Sequence, residues 1–272
     1  MINDHDMAII KQIMKQVGEN LRFTSDNTGQ VKELNLDDKK IKDISFLSGL
    51  RGLTHLSLSE NRITDLTPLS GLTTLTTLIL ERNQITDLRP LSALTKLIHL
   101  YLNNNQITDL KPLSALLNLT GLGLSGNQIT DLKPLSALLN LTGLGLSGNQ
   151  ITDLRLLSTL KKLMAFDLNN NQITDLGPLS DLKNLTELYL KNNQVMDLGP
   201  LRALTKLTNL DLRKNHIKSI PPEITSWWPG MKINWKDEFT LIGLNLYGNP
   251  LTDPPIEIVK QGKAAIENYF AE

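Results

Sequence analysis

The 272-residue chain contains no cysteine. This absence excludes disulfide bonds, thiolate zinc sites and a cysteine nucleophile. Net charge is absent as well, because 28 basic residues balance 28 acidic ones. Strong non-specific binding to nucleic acid or to anionic lipid depends on concentrated positive charge. We therefore expect neither nucleic acid nor a membrane as a partner.

Long apolar runs are also missing. The first 19 residues carry Asp4, Asp6 and Lys11 among their apolar residues and have no small-residue cleavage site, unlike a signal peptide. No apolar stretch approaches the ~20 residues that a membrane-spanning helix needs. These absences, with the lack of cysteine, predict a cytoplasmic protein.

What the chain has instead is a repeat. An asparagine returns every 22 residues and closes a block of the form Leu-x-x-Leu-x-Leu-x-x-Asn. These residues are Asn61, Asn83, Asn105, Asn127, Asn149, Asn171, Asn193 and Asn215, and a later block ends at Asn249. A unit this short cannot bury its leucines alone and must stack on copies of itself. The period predicts an α/β fold: a right-handed leucine-rich-repeat solenoid, or horseshoe, with a parallel sheet of about ten strands on its concave face.

The block that ends at Asn83 shows how each repeat should fold. Leu78 and Leu80 point to the same, inward side of a strand, whereas Thr77, Ile79 and Glu81 point outward. We expect the asparagine to reach inward and satisfy backbone groups at the corner after the strand. The asparagine column is therefore predicted to be a structural ladder.

The second half of most repeats reads Ile-Thr-Asp-Leu-x-Pro-Leu. Proline lacks an N–H and fixes its φ angle, so this half should be a 3₁₀ or extended convex segment. An aspartate column accompanies it, at Asp43, Asp65, Asp87, Asp109, Asp131, Asp153, Asp175 and Asp197. Each aspartate either accepts hydrogen bonds from N–H groups where the turn begins, which we favour, or the column attracts a cation.

The period divides the chain into four parts. Residues 1–30 are predicted to be an N-terminal helical cap, with Met7, Ile10, Met14, Val17 and Leu21 at helical spacing. Residues 31–220 hold the 22-residue repeats. Residues 221–252 form an irregular repeat with an insertion that contains every tryptophan, which is either a binding platform or, as we favour, a plug on the leucine core. Residues 253–272 are a capping or connecting helix.

The outward strand positions are the candidate functional site. Residues 111–132 and 133–154 are identical, and their strands are nearly bare glycine, which permits close approach of a partner or records only a duplication. The flanking repeats carry aromatic and charged residues that suit a protein partner. The candidate binding residues are His99, Tyr101, Asp167, Glu187, Tyr189, Lys191, Asp211 and Arg213. The alternative is that these are the solvated faces of a spacer.

Two resemblances follow from these motifs. The repeats, Asn-Gln-Ile-Thr-Asp-Leu-x-Pro-Leu-Ser-x-Leu, resemble the 22-residue type of bacterial internalins. Residues 243–251, followed by Pro-Pro-Ile-Glu-Ile-Val-Lys-Gln-Gly-Lys up to Phe270, resemble the junction at which the repeats of bacterial Roco proteins lead into a Roc GTPase domain. The Roco resemblance implies a regulatory arm with a Roc-COR module downstream.

That resemblance places no chemistry in this chain. A phosphate-binding loop needs G-x-x-x-x-G-K-[ST], but Ala264 follows Gly262-Lys263, and Glu257 stands at the first glycine position. His55 and His99 lie two repeats apart, about 10 Å, which is too far to share a metal. We expect no enzyme activity, cofactor or metal site in these residues.

The predicted partner is a protein, either the Roc-COR module of the same polypeptide or a separate protein. The resemblance implies a full-length homodimer, with the fragment a monomer or weak dimer. The alternative function is a stand-alone internalin-like adhesin or scaffold.

Overall fold

A computed structural model describes residues 2–237 and 243–272. Leu241, which begins the last leucine block, lies outside the described residues. The chain divides into two compact units, the first ending at Leu141 and the second beginning at Thr142.

The first unit begins with helix α1 (Asp4–Val17). Asn3 caps this helix by accepting a hydrogen bond from the Asp6 N–H at 2.8 Å. The helix ends where Gly18 adopts a φ of 94°, so the helical spacing predicted to reach Leu21 stops a turn earlier. Asp6 is buried and accepts the N–H of Val31 at 2.7 Å, which ties α1 to the sheet.

The sheet of the first unit contains a strand that the repeat pattern does not predict. Strand β1 (Arg22–Ser25) pairs antiparallel with β2 (Val31–Asn35), so the N-terminal cap combines a helix with a hairpin. Parallel strands continue from β2 at the spacing of the repeat. They are β3 (His55–Ser57), β4 (Thr77–Ile79), β5 (His99–Tyr101) and β6 (Gly121–Gly123). Between them lie 3₁₀ helices at Ser45–Gly49, Thr67–Leu69, Arg89–Leu91, Lys111–Ala115 and Lys133–Ala137.

The second unit continues the pattern and then breaks it. Its strands are β7 (Gly143–Gly145), β8 (Ala165–Asp167), β9 (Glu187–Tyr189), β10 (Asn209–Asp211), β11 (Ile233–Asn234) and β12 (Gly243–Asn245), with 3₁₀ helices at Arg155–Leu157, Gly177–Asp181 and Gly199–Ala203. Strand β12 pairs with β10, and β11 pairs with the other edge of β12. The inserted residues therefore contribute an edge strand, β11, which lies outside β12 in the sheet although it precedes β12 in the chain.

Three short helices complete the second unit: α2 (Ile224–Trp227), α3 (Ile256–Val259) and α4 (Lys263–Ala271). Trp228 is only 4% exposed, and its Nε1 donates to the Leu204 carbonyl at 2.8 Å. Trp227 packs edge-to-face on Trp228 with ring centroids 5.5 Å apart. Trp228 is thus buried with its single polar atom satisfied, as a plug on the leucine core requires, whereas Trp227 and Trp235 are only partly buried.

The asparagine column lies in the core. Asn83 is typical: its Nδ2 donates to the carbonyls of Leu58 and Leu80 at 2.9 and 3.1 Å, and its Oδ1 accepts the N–H of Ile63 at 3.0 Å. Each side chain thus joins its own strand to the preceding repeat. The residue before the asparagine has a positive φ, for example 57° at Glu60 and 53° at Arg82.

The aspartate column caps the 3₁₀ turns. In every one of the eight repeats, Oδ1 of the aspartate accepts the N–H of the residue two positions on, at 2.7 to 2.9 Å. The preferred interpretation of this column is confirmed. Parallel strands, 3₁₀ segments and helices at both ends also confirm the leucine-rich-repeat fold class.

Candidate protein-binding face

The candidate site is the open face, which we define as the side of each unit's strands that carries the first and third residue of each three-residue strand. Strand β5 shows the division. Leu100 is fully buried in the core, whereas His99 and Tyr101 are half-buried and lie on the open face. The division follows from the alternation of side chains along a strand.

On the first unit, His99 and Tyr101 form a stacked pair. Their ring centroids lie 6.4 Å apart and their planes differ by 6°. Both rings lean over the glycines of β6: a Cβ added to Gly121 would lie 2.9 Å from Cδ2 of His99, and one added to Gly123 would lie 3.0 Å from Cδ1 of Tyr101. The glycines of β6 therefore provide room for this aromatic pair.

A groove of about 560 Å³ lies on the same face, toward the N-terminal end of the first unit. Its lining includes Phe23, Glu33, His55, Thr77 and Ile79. Oε1 of Glu33 lies 4.0 Å from Nδ1 of His55, and both side chains are about half exposed. The repeat pattern does not predict the groove because one wall is β1, whose pairing leaves no signal in that pattern.

On the second unit, Glu187 and Tyr189 interact along β9. The Tyr189 hydroxyl donates to Oε2 of Glu187 at 2.8 Å. Burial, reinforced by the hydrogen bond to Glu187, raises the pKa of Tyr189 to about 12, although the Asn209 amide acts in the opposite direction. The tyrosine therefore remains a neutral hydrogen-bond donor at physiological pH.

Asp167 lies next to Tyr189 in the register of β8 and β9. Burial raises the pKa of its carboxyl, and the charge of Asp211 adds to this effect. The N–H of Asn169 donates to Oδ1 of Asp167 at 3.0 Å and partly opposes the shift. Asp167 is thus a partly desolvated carboxylate on the open face.

Asp211 and Arg213 are not exposed binding residues as predicted. They are 6% and 4% exposed. Nε of Arg213 donates to Oδ1 of Asp211 at 2.8 Å, and its Nη1 donates to the Asp237 carbonyl at 2.7 Å. The insertion folds back over this end of the face and buries the pair. The prediction was wrong because the repeat pattern does not show where a non-repeating segment packs.

Lys191 remains on the face, at the border of the insertion. Its Nζ lies 3.8 Å from Oδ1 of Asp237, and Nζ of Lys214 lies 2.9 Å from Oδ2 of the same carboxylate. The hydrogen bond from Lys214 is the main cause that lowers the pKa of Asp237. The insertion is therefore held on the face by a cluster of cations around one carboxylate.

The repeats and the open face define the class of protein. A family model for leucine-rich repeats in two copies matches residues 30–71, 73–115, 117–162, 140–181, 165–203 and 183–226. The chain belongs to the leucine-rich-repeat family, whose solenoid domains are generally non-catalytic and bind proteins. No curated protein matches the sequence.

Several solved structures are similar. Internalin C2 of Listeria monocytogenes shares 35% sequence identity at a TM-score of 0.65, over 74% of this chain and 90% of that one. Internalin F of the same organism shares 27% at a TM-score of 0.55, over 92% and 83%. The repeat ectodomain of the Arabidopsis thaliana receptor kinase GASSHO1/SCHENGEN3, in complex with CASPARIAN STRIP INTEGRITY FACTOR 2, shares 26% at 0.69, over 84% and 28%.

The described residues contain neither a membrane-spanning helix nor a group of side chains that could bind a metal ion. Across residues 2–237 and 243–272, no helix is both long and apolar enough to cross a membrane. Within the same ranges, histidine, aspartate and glutamate side chains do not gather in a group of three that can hold a metal ion.

Proposed function

We propose that the open face binds a protein partner, with His99 and Tyr101 as its anchor on the first unit. The stacked pair is the observation that carries the proposal. Large aromatic rings contribute most of the affinity in protein interfaces when a partner desolvates them. Two half-buried rings fixed over a glycine strand lose little conformational freedom on binding, which favours this role over that of a solvated spacer.

The groove on the first unit supports the same proposal. It lies on the face that carries the aromatic pair, since Thr77 and Ile79 of its lining pair in register with His99 and Tyr101. A partner side chain in the groove would bury apolar surface beside Ile79 and the rings. The repeat ectodomain of GASSHO1/SCHENGEN3, solved in complex with CASPARIAN STRIP INTEGRITY FACTOR 2, is an example of a similar repeat structure with a bound partner.

A peptide-display selection on the folded chain tests the proposal. Peptides selected on the wild-type protein should bind a Tyr101→Ala variant at least ~10-fold more weakly, because a central aromatic anchor contributes about 2 kcal/mol or more. Tyr269→Ala is the matched control, since Tyr269 is an exposed tyrosine on α4. Equal loss in both variants, or no selectable peptides, would contradict binding through the open face.

We further propose that the chain is the regulatory arm of a cytoplasmic Roco GTPase. The support is the resemblance of residues 243–270 to the junction before a Roc domain. A repeat arm shifts a nucleotide switch only if it binds one state of the switch more tightly than the other. If the module is encoded downstream, Tyr101→Ala and Tyr189→Ala in the full-length protein should change GTP turnover, while Tyr269→Ala should not.

A stand-alone internalin-like binding protein is the second candidate. The similarity to internalin C2 and internalin F over most of their lengths favours it. Sequencing the gene beyond codon 272 separates the two candidates. A G-x-x-x-x-G-K-[ST] motif after a following strand supports the GTPase arm, whereas a stop codon or a wall-anchoring segment contradicts it.

A further inference from the structure

The second unit carries a cluster of acceptors on its open face. Asp167, Glu187 and Asn209 lie on adjacent strands, with Asn209 opposite Glu187 and Asp167 opposite Tyr189 in the register. Asn209 is 8% exposed, and in the described part of the chain its Oδ1 accepts no hydrogen bond. The Asn209 amide also interacts with the Tyr189 hydroxyl, so the unpaired oxygen belongs to the same cluster.

This cluster offers acceptors but few donors. The Tyr189 hydroxyl already donates to Glu187. Asp167 receives the backbone N–H of Asn169, but that donor carries no net charge. The neighbouring Asp211 differs, because Arg213 neutralises it. Within residues 2–237 and 243–272, Asp167 and Glu187 thus form no ion pair, and the Asn209 oxygen beside them accepts no hydrogen bond.

The strands next to the cluster leave space for a ligand. Apart from its own residue and its two chain neighbours, Gly143 of β7 has no atom within 4 Å of the position that a Cβ would take. Gly143 and Gly145 pair in register with Ala165 and Asp167. The open space at Gly143 therefore lies beside Ala165, two residues along β8 from Asp167. This differs from β6 in the first unit, where the aromatic pair fills the corresponding space.

We propose that Asp167, Glu187, Tyr189 and Asn209 form a subsite for an arginine side chain of the bound protein. The proposal rests on the proposed protein-binding function. A guanidinium carries five N–H donors in a planar fork, which matches carboxylate and amide oxygens on adjacent strands and stacks on a tyrosine ring. Arginine fits better than lysine because its planar fork serves several acceptors at once.

The test uses N-acetyl-arginine amide and its citrulline analogue, which has nearly the same shape but no charge. In ¹⁵N NMR titrations, the arginine probe should shift the amides of Gly143, Gly145, Asp167 and Glu187 with saturation. The citrulline probe should bind at least tenfold more weakly. Equal responses to the two probes, or larger shifts at these residues with Ca²⁺ alone, would overturn the subsite.

Variants connect the response to the cluster. Asp167→Asn with Glu187→Gln should remove the arginine response, and Glu187→Gln alone should weaken it if the double variant is poorly folded. Glu81→Gln, on the first unit, is the matched control and should leave the response unchanged. An unchanged response in the double variant would rule the subsite out.

The display selection separates this inference from the proposed function. Peptides selected on the wild-type protein should be enriched in arginine at one position, and selection on Asp167→Asn/Glu187→Gln should lose that enrichment. Selected peptides with no arginine preference would refute the subsite and leave the proposed function standing. Failure to select any peptide would count against the proposed function itself.

Discussion

At the scale of single residues, the asparagine ladder satisfies buried backbone groups of adjacent repeats. In Asn105, Nδ2 donates to the carbonyls of Leu80 and Leu102, both at 3.0 Å, and Oδ1 accepts the N–H of Ile85 at 3.0 Å. Asn105→Ala leaves the buried N–H of Ile85 without this acceptor and removes one of the two amide donors from each carbonyl, since Asn83 still donates to Leu80 and Asn127 to Leu102. We therefore expect a loss of about 2–3 kcal/mol in urea unfolding. Asn118→Ala is the control: Asn118 is exposed and makes one bond to the Thr95 carbonyl, so its loss should stay below about 1 kcal/mol.

A second residue-scale effect is backbone strain at the turn before each ladder asparagine. Arg82 has a φ of 53°, a left-handed conformation that glycine adopts without strain. Arg82→Gly should therefore raise the unfolding free energy by about 0.5–1 kcal/mol. Arg62→Gly, at an exposed residue that follows the ladder residue Asn61 and has no positive φ, should lower it. A loss of stability in both variants would show that the strain is relieved elsewhere.

Asp167 gives a pH dependence with a defined sign. Burial raises the pKa of its carboxyl in the folded state, so the folded protein binds the proton more tightly than the unfolded chain. Its contribution to stability is therefore fully present below the unfolded pKa of about 3.9 and decreases as pH rises through the folded pKa.

Asp167→Asn keeps the acceptor for Asn169 but removes the charge. The variant should be more stable than wild type at pH 7 and equal to it near pH 3, as measured by urea unfolding at both values. Asp153→Asn is the opposite case, since the hydrogen bond from Arg155 is the main cause that lowers the pKa of Asp153. That variant should gain nothing at pH 7. A gain for Asp167→Asn at pH 3 alone would contradict the argument.

At the scale of elements, the insertion of the second unit depends on one buried pair. Arg213 neutralises Asp211 and donates to the Asp237 carbonyl. Arg213→Met leaves the buried Asp211 carboxylate without its cation, although the backbone N–H of residue 213 still donates to it, and should cost about 3–5 kcal/mol. The double variant Asp211→Leu/Arg213→Met removes both charges and should cost less than the single one. The stability of both variants can be measured by urea unfolding followed by tryptophan fluorescence, in which Trp235 reports on the insertion. If the double variant is as unstable as Arg213→Met, the buried Asp211–Arg213 pair does not hold the insertion.

The elements differ in how far the sequence predicts them. The repeating strands, the ladder and the Asp-capped 3₁₀ turns followed from the 22-residue period, because each repeat meets the same neighbours. Strand β1 and the edge strand β11 did not, since each packs through contacts that occur once in the chain. The same reason explains why Asp211 and Arg213 were wrongly predicted to be exposed. The outward positions of His99, Tyr101 and Asp167 were predictable from alternation, but the stacked pair and the Asn209 acceptor were not.

At the scale of the whole molecule, the identical repeats 111–132 and 133–154 permit an unusually clean deletion. Removing residues 133–154 joins Leu132 to Arg155, and the 22 residues before Arg155 are the same as before. The deletion therefore creates no new junction sequence. In an array whose repeats contact only their neighbours, such a protein should still fold.

The deletion of residues 133–154 should lower the urea m-value, which is the slope of the unfolding free energy against urea concentration. The urea m-value scales with the surface exposed on unfolding, so removing 22 of 272 residues should lower it by about 8%. Deleting 11 residues, 133–143, breaks the period, because Leu144 would then fall out of register with the leucine core. That variant should lose cooperative unfolding. Cooperative unfolding of the 11-residue deletion, or its loss in the 22-residue deletion, would mean that something other than the repeat period holds the molecule together.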